Sequence, residues 1–129
     1  MQKIPILKIG PNLIVSLQFD IDDKTAINLQ GELLREIART GARGVLIELS
    51  ALDMVDSFMG RMLSDISIMS MSMNAETVVV GMQPSVAITL VELGLTLKGI
   101  HTALNVEAGI DLLKTLQRGG KAIEKDNAE

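Results

Sequence analysis

The sequence predicts an α/β fold: a mixed, mostly parallel β-sheet with an N-terminal antiparallel edge hairpin and about four helices. Three observations carry this. Short apolar segments of strand length alternate with longer segments whose apolar residues recur at helical spacing, and Gly, Pro and Asn punctuate the junctions. The first two strand-like segments are separated only by a turn, so they pair antiparallel. The resulting order, β-β-α-β-α-β-α-β-α, calls for parallel strands joined by right-handed crossovers.

Each element has its own local cause. Ile4-Pro5-Ile6-Leu7-Lys8-Ile9 and Leu13-Ile14-Val15-Ser16-Leu17 read as the hairpin strands around Gly10-Pro11-Asn12. Pro5 has no amide proton and favours an edge. A helix is expected from Asp22 to Thr40, with Ala26, Ile27, Gln30, Leu33, Leu34, Ile37 and Ala38 on one stripe and Gly41 or Gly44 at its exit. Val45 to Leu49 is the next strand. A second helix starts at Ser57 and buries Phe58, Met59, Met62, Leu63, Ile66, Met69 and Met73. Thr77 to Met82 is a strand buried on both faces. Pro84 opens a third helix and Gly94 ends it. Thr102-Ala103-Leu104 is a short last strand. Asn105 caps a fourth helix that turns Ile110, Leu113 and Leu116 inward. The ordered domain is expected over 1–118, and the polar stretch 119–129 as a flexible tail.

Composition narrows the chemistry. Apolar residues make up 47% of the 129 residues, ample for a single core, and Phe19 and Phe58 are the only aromatics. The lack of Tyr and Trp and a net charge of -4 argue against nucleic acid as a partner. Without cysteine, a thiol nucleophile, a disulfide framework and a Cys-based zinc site are excluded. His101 is the single histidine and reads as a loop residue beside Gly99. No apolar run approaches the ~20 residues that cross a bilayer, and the N-terminus lacks a leader pattern, so a cytoplasmic chain is expected.

The informative stretch runs from Glu48 to Met62 and passes from strand to loop to helix. Functional groups in α/β sheets gather at the C-terminal ends of strands. Ser57 falls where a helix begins and several amides lack partners. A phosphate on it is favoured by those amides and the helix dipole, and opposed by Asp56. The plainer reading makes Ser57 an N-cap and nothing more.

Glu48-Leu49-Ser50, Leu52-Asp53-Met54-Val55-Asp56-Ser57-Phe58, the small Gly60 and the Gly81-Met82-Gln83-Pro84 turn together resemble the STAS domain of anti-sigma-factor antagonists. The resemblance spans nearly the whole chain. The Asp56-Ser57-Phe58 form looks most like the stressosome scaffold type; sporulation-type antagonists typically carry Asp-Ser-Ser-Gly here. The resemblance implies a single STAS domain with no cofactor and no catalysis of its own. Ser57 would be the main phosphorylation site, within a partner surface formed by Met54, Asp56, Ser57, Phe58 and Arg61. It also implies the partners: a serine/threonine kinase of the GHKL type, STAS co-antagonists in a large hetero-oligomer, and a serine phosphatase. Phosphorylation would release the kinase. Related co-antagonists are modified at a Thr matching Thr89, whose plainer reading is a mid-helix Thr bonded to a preceding carbonyl.

Seven of the eight methionines lie between Met54 and Met82. Most are expected in an aromatic-poor core, with Met54 and Met71 as interface candidates. The apolar edge hairpin and this Met-rich segment point to self-association. Other functions fit less well. A simple anti-anti-sigma factor would bind an anti-sigma kinase directly. A receiver-like domain would take phosphate on Asp53 or Asp56, but it needs an acidic pair after its first strand and a Lys after its last; here Asp22-Asp23 follows a hairpin. No phosphate-binding loop or Ser/His/Asp set supports an enzyme, although weak nucleotide binding is compatible with the family.

Overall fold

The computed structural model describes residues 4–18, 21–94 and 99–128, with side chains described as far as residue 118. Strands β1 (Ile6–Ile9), β2 (Asn12–Ser16), β3 (Gly44–Glu48), β4 (Glu76–Val80) and β5 (Ile100–Ala103) form one sheet in sequence order. β1 and β2 are antiparallel, and every later pair is parallel. The crossovers are α1 (Asp23–Thr40), α2 (Ser57–Ser72) and α3 (Pro84–Glu92), and α4 (Val106–Ala128) follows β5. The chain folds as the α/β sheet with an antiparallel edge hairpin that its sequence predicts.

The pleat divides the strand side chains between two cores. Leu13, Val15, Val45, Ile47 and Val79 pack with Leu29, Leu33 and Ile37 of α1, Met59, Met62 and Leu63 of α2, and Val86 and Leu90 of α3. On the opposite face Leu46, Val78 and Val80 pack with Leu113 of α4, flanked by Ile110 and Leu116. Three helices therefore share one face, and α4 alone covers β3, β4 and β5 on the other. β4 is buried from Thr77 to Val80, as a strand covered on both faces must be.

Several boundaries and faces depart from the sequence reading. α1 buries Thr25, Ala26, Leu29, Leu33 and Ile37, while Ile27 is 61% exposed and Ala38 is exposed. The buried stripe advances by three, four and four residues from Ala26, which leaves Ile27 about 100° off its centre. Gly41, not Gly44, ends the helix: its φ is 68° and its amide donates to the Ile37 carbonyl at 2.8 Å. Gly44 opens β3. β4 stops at Val80 because Gly81 turns the chain at φ 71°. β5 starts earlier than expected, at Ile100, and His101 lies in it opposite Val78 rather than in a loop. Leu104 falls outside the strand and is 83% exposed. α4 stays helical past Gly119-Gly120 to Ala128, so the expected boundary at 118 is not marked by a helix end. Phe19 lies outside the described residues.

Candidate functional site

Residues 49–56 link β3 to α2 at the C-terminal edge of the parallel strands. Leu52 and Val55 sink into the core and anchor this loop, while Met54 between them is 70% exposed. The loop is also held by polar bonds. Glu48 accepts from the Ser50 amide at 2.7 Å through one carboxylate oxygen and from the Ser16 hydroxyl at 3.1 Å through the other. From the β4–α3 side, Gln83 donates its amide to the Ser50 carbonyl at 2.8 Å, and Ser85 donates its hydroxyl to the Asp53 carbonyl at 3.1 Å. Gly81 makes that approach possible. A Cβ there would lie 2.7 Å from the Glu48 carboxylate and 3.1 Å from Ser50 Cβ.

The cap of α2 is Asp56, not Ser57. Asp56 is extended (φ -103°, ψ 178°), and its carboxylate accepts the Met59 amide at 2.8 Å. Asp and Ser serve equally well as caps, so the pair Asp56-Ser57 leaves the choice to geometry. Ser57 becomes the first helical residue, exposed at the positive end of the dipole. Its amide and that of Phe58 belong to the first turn, whose amides have no intrahelical acceptor. Arg61 is exposed one turn on, on the same side of α2 as Ser57. Phe58 is half-buried and packs against the larger core.

Other candidates resolve differently. Thr89 donates its hydroxyl to the Ser85 carbonyl at 2.8 Å, the local back-bond expected of a mid-helix Thr. Met71 is 50% exposed on the outer side of α2. Asp22 caps α1: the bonds it accepts from Thr25 hold its carboxyl below the usual aspartate value, so the acid of the receiver reading serves a helix end. Among the described residues, no group of three or more His, Asp or Glu is placed to hold a metal ion, and no helix is long and apolar enough to cross a membrane. The bracing role of Gln83 and Ser85 is not legible in the sequence. Their part depends on contacts 33 and 32 residues away, which no local pattern encodes.

Residues 3–109 match the STAS domain, and the chain belongs to that family. Among solved structures it is similar to a serine-to-glutamate variant of RsbS from Moorella thermoacetica, at 39% identity and TM-score 0.80, covering 91% of this chain and 99% of that one. It is also similar to a chain in a structure of the stressosome, a signal integration and transduction hub, at 41% identity and TM-score 0.77, covering 88% and 99%. The unphosphorylated anti-sigma-factor antagonist SpoIIAA shares the fold at 13% identity and TM-score 0.70, covering 86% and 96%. No curated protein sequence matches the chain.

Proposed function

We propose that this chain is a non-catalytic, phospho-switched binding protein of a stressosome-type assembly. It sequesters a serine/threonine kinase of the GHKL type and releases it once Ser57 is phosphorylated. Its other partners are STAS co-antagonists, further copies of itself and a serine phosphatase that resets Ser57. Neither nucleic acid nor membrane is required, and the assembly works in the cytoplasm. The observation that carries this reading is the exposed Ser57 hydroxyl, the first residue of α2, released from capping by Asp56. The similar Moorella protein was altered at a serine numbered one higher than Ser57 here, which supports the same position as the switch.

The local physics fits a poised switch. A phosphate adds close to two negative charges. The first-turn amides and Arg61 favour it, while the Asp56 carboxylate opposes it. Within a packed interface centred on Met54, Asp56, Ser57, Phe58 and Arg61, the same charge must be desolvated beside a like charge, which is costly. Folding therefore tolerates the phosphate and binding does not. The alternative is a simple antagonist that binds an anti-sigma kinase one to one. Sizing mixtures with a co-antagonist distinguishes the two, since the stressosome reading requires a large mixed particle.

The direct test incubates the protein with its kinase and ATP and maps phosphate by mass spectrometry. Phosphate is expected on Ser57. Modification chiefly at Ser64, Ser67 or Thr89, with Ser57 bare, defeats the proposal.

A further inference from the structure

The chain has no cysteine, so methionine is its only source of sulfur. Its methionines are unequally placed. Met59 and Met62 are buried in the larger core, and Met69, Met73 and Met82 are partly covered. Among the described methionines only Met54 and Met71 are exposed, at 70% and 50%. These two differ further. A Cβ added at Gly99 would stand 2.9 Å from the Met71 sulfur, so that thioether rests against the backbone just before β5. Met54 stands in the 49–56 loop, between the buried Leu52 and Val55. It follows the Asp53 carbonyl, which accepts the Ser85 hydroxyl at 3.1 Å. The backbone on either side of Met54 is held, so its exposure is a property of the fold.

A thioether reacts with a hydroperoxide in a two-electron step. The sulfur lone pair attacks one peroxide oxygen, the O–O bond breaks and a sulfur–oxygen bond forms. The departing hydroxide takes the proton from the oxygen now on sulfur and leaves as water. The sulfur is oxidised and the peroxide reduced. The product is a polar, chiral side chain where a flexible apolar one had been. On an exposed loop this change costs the fold little. At an interface it costs more, because the sulfoxide oxygen must shed its water, and a surface fitted to a thioether has no call to offer it a donor.

We infer that Met54 is a second, oxidation-sensitive switch on the partner surface that carries Ser57. A hydroperoxide converts it to the sulfoxide, and the oxidised chain no longer captures the kinase although Ser57 is bare. Oxidation acts on the free chain, whose Met54 is open to solvent. A thiol-dependent sulfoxide reductase restores it: two thiols become a disulfide and the oxygen leaves as water. The inference rests on the kinase-binding reading of the proposed function and adds a second chemical input to the same surface.

The test treats the full chain with dilute hydrogen peroxide, removes the peroxide and maps the added oxygen by mass spectrometry. Met54 should be oxidised ahead of Met71, with Met59 and Met62 intact and the circular dichroism unchanged. Kinase affinity is then measured with a non-hydrolysable ATP analogue, which keeps Ser57 bare. The Kd should rise about tenfold or more on oxidation. The Kd of Met54→Leu should be the same before and after peroxide, while Met71→Leu should respond as the wild type does. Oxidation of Met71 or a core methionine ahead of Met54, an oxidised chain with an unchanged Kd, or a Met54→Leu chain that still responds overturns the inference. If peroxide unfolds the chain, Met54→Gln decides, since it sets a neutral acceptor at the same place. A folded Met54→Gln that binds as tightly as Met54→Leu overturns the inference. The two proposals fail in different ways. A reduced chain that binds no kinase defeats the reading and the inference together. A chain that releases the kinase on phosphorylation of Ser57 but not on oxidation of Met54 loses only the inference.

Discussion

Asp56 and Ser57 divide two duties that one residue is often asked to combine. The carboxylate of Asp56 closes the helix by accepting the Met59 amide, and the Ser57 hydroxyl stays exposed. This division has measurable consequences. Asp56→Ala should cost about 1 kcal/mol in urea unfolding, the usual cost of a lost cap. Ser57→Ala should stay within about 0.5 kcal/mol, as for an exposed surface substitution. Ser57→Asp should keep its circular dichroism and bind the kinase more weakly, while Ser57→Ala should bind like the wild type. Equal losses of stability for Asp56→Ala and Ser57→Ala would return the cap to Ser57. A folded Ser57→Asp that binds the kinase as tightly as the wild type removes the electrostatic mechanism. The position of this junction was legible in the sequence, because Asp-Ser before an apolar helical run marks a helix start. Which residue caps was not legible, because the two are equivalent in preference and differ only in backbone placement.

α2 packs over β4 with three buried hydroxyls that find no hydrogen-bond partner among the described residues, those of Ser67, Ser70 and Thr77. A buried hydroxyl left unpaired costs about 1–3 kcal/mol. Replacing Thr77 with Val keeps the branched shape and removes that cost, so Thr77→Val should raise the melting temperature by a few degrees. A fall would show that the hydroxyl is satisfied, for instance by a buried water. These seams are invisible to pattern reading: Ser67 and Ser70 count as polar, yet helical spacing sets Ser70 four residues beyond the buried Ile66. The same limit explains Ile27, apolar but exposed on α1. Apolar periodicity identifies the helix and leaves its exact azimuth to the neighbours it meets. Strong local chemistry did better. Asn105 caps α4 through the Ala108 amide at 2.9 Å, and Pro84 is the first residue of α3. Both roles follow from one residue's own geometry. The start of β5 at Ile100 is not legible in the sequence, because Ile100 and His101 show no clear alternation and gain their strand pairing only from β4.

At the scale of the molecule, the sheet order follows from alternation and short connections alone, so the architecture was legible before any contact was known. The polar clamp on the 49–56 loop was not, since it joins residues from β2, β3, the loop itself and the start of α3. That clamp sets how far a charge at Ser57 is felt. Leu52 and Val55 fix the loop in the core, and Gln83 and Ser85 tie it to the start of α3. A phosphate placed there would act on a braced segment whose polar ties run through Glu48 to Ser16 and through Gln83 and Ser85 to the β4–α3 turn. Hydrogen exchange of the phosphorylated and unphosphorylated forms should differ within about residues 49–62 and 82–86, while the amides of β2, β3 and β4 keep their protection, as expected of a local opening and not a global one. Ser85→Ala should weaken the change at 82–86 and leave that at 49–62. Loss of protection across the central strands would mean that the phosphate reorganises the core, and the switch would then be a change of fold instead of a charge placed on a fixed surface.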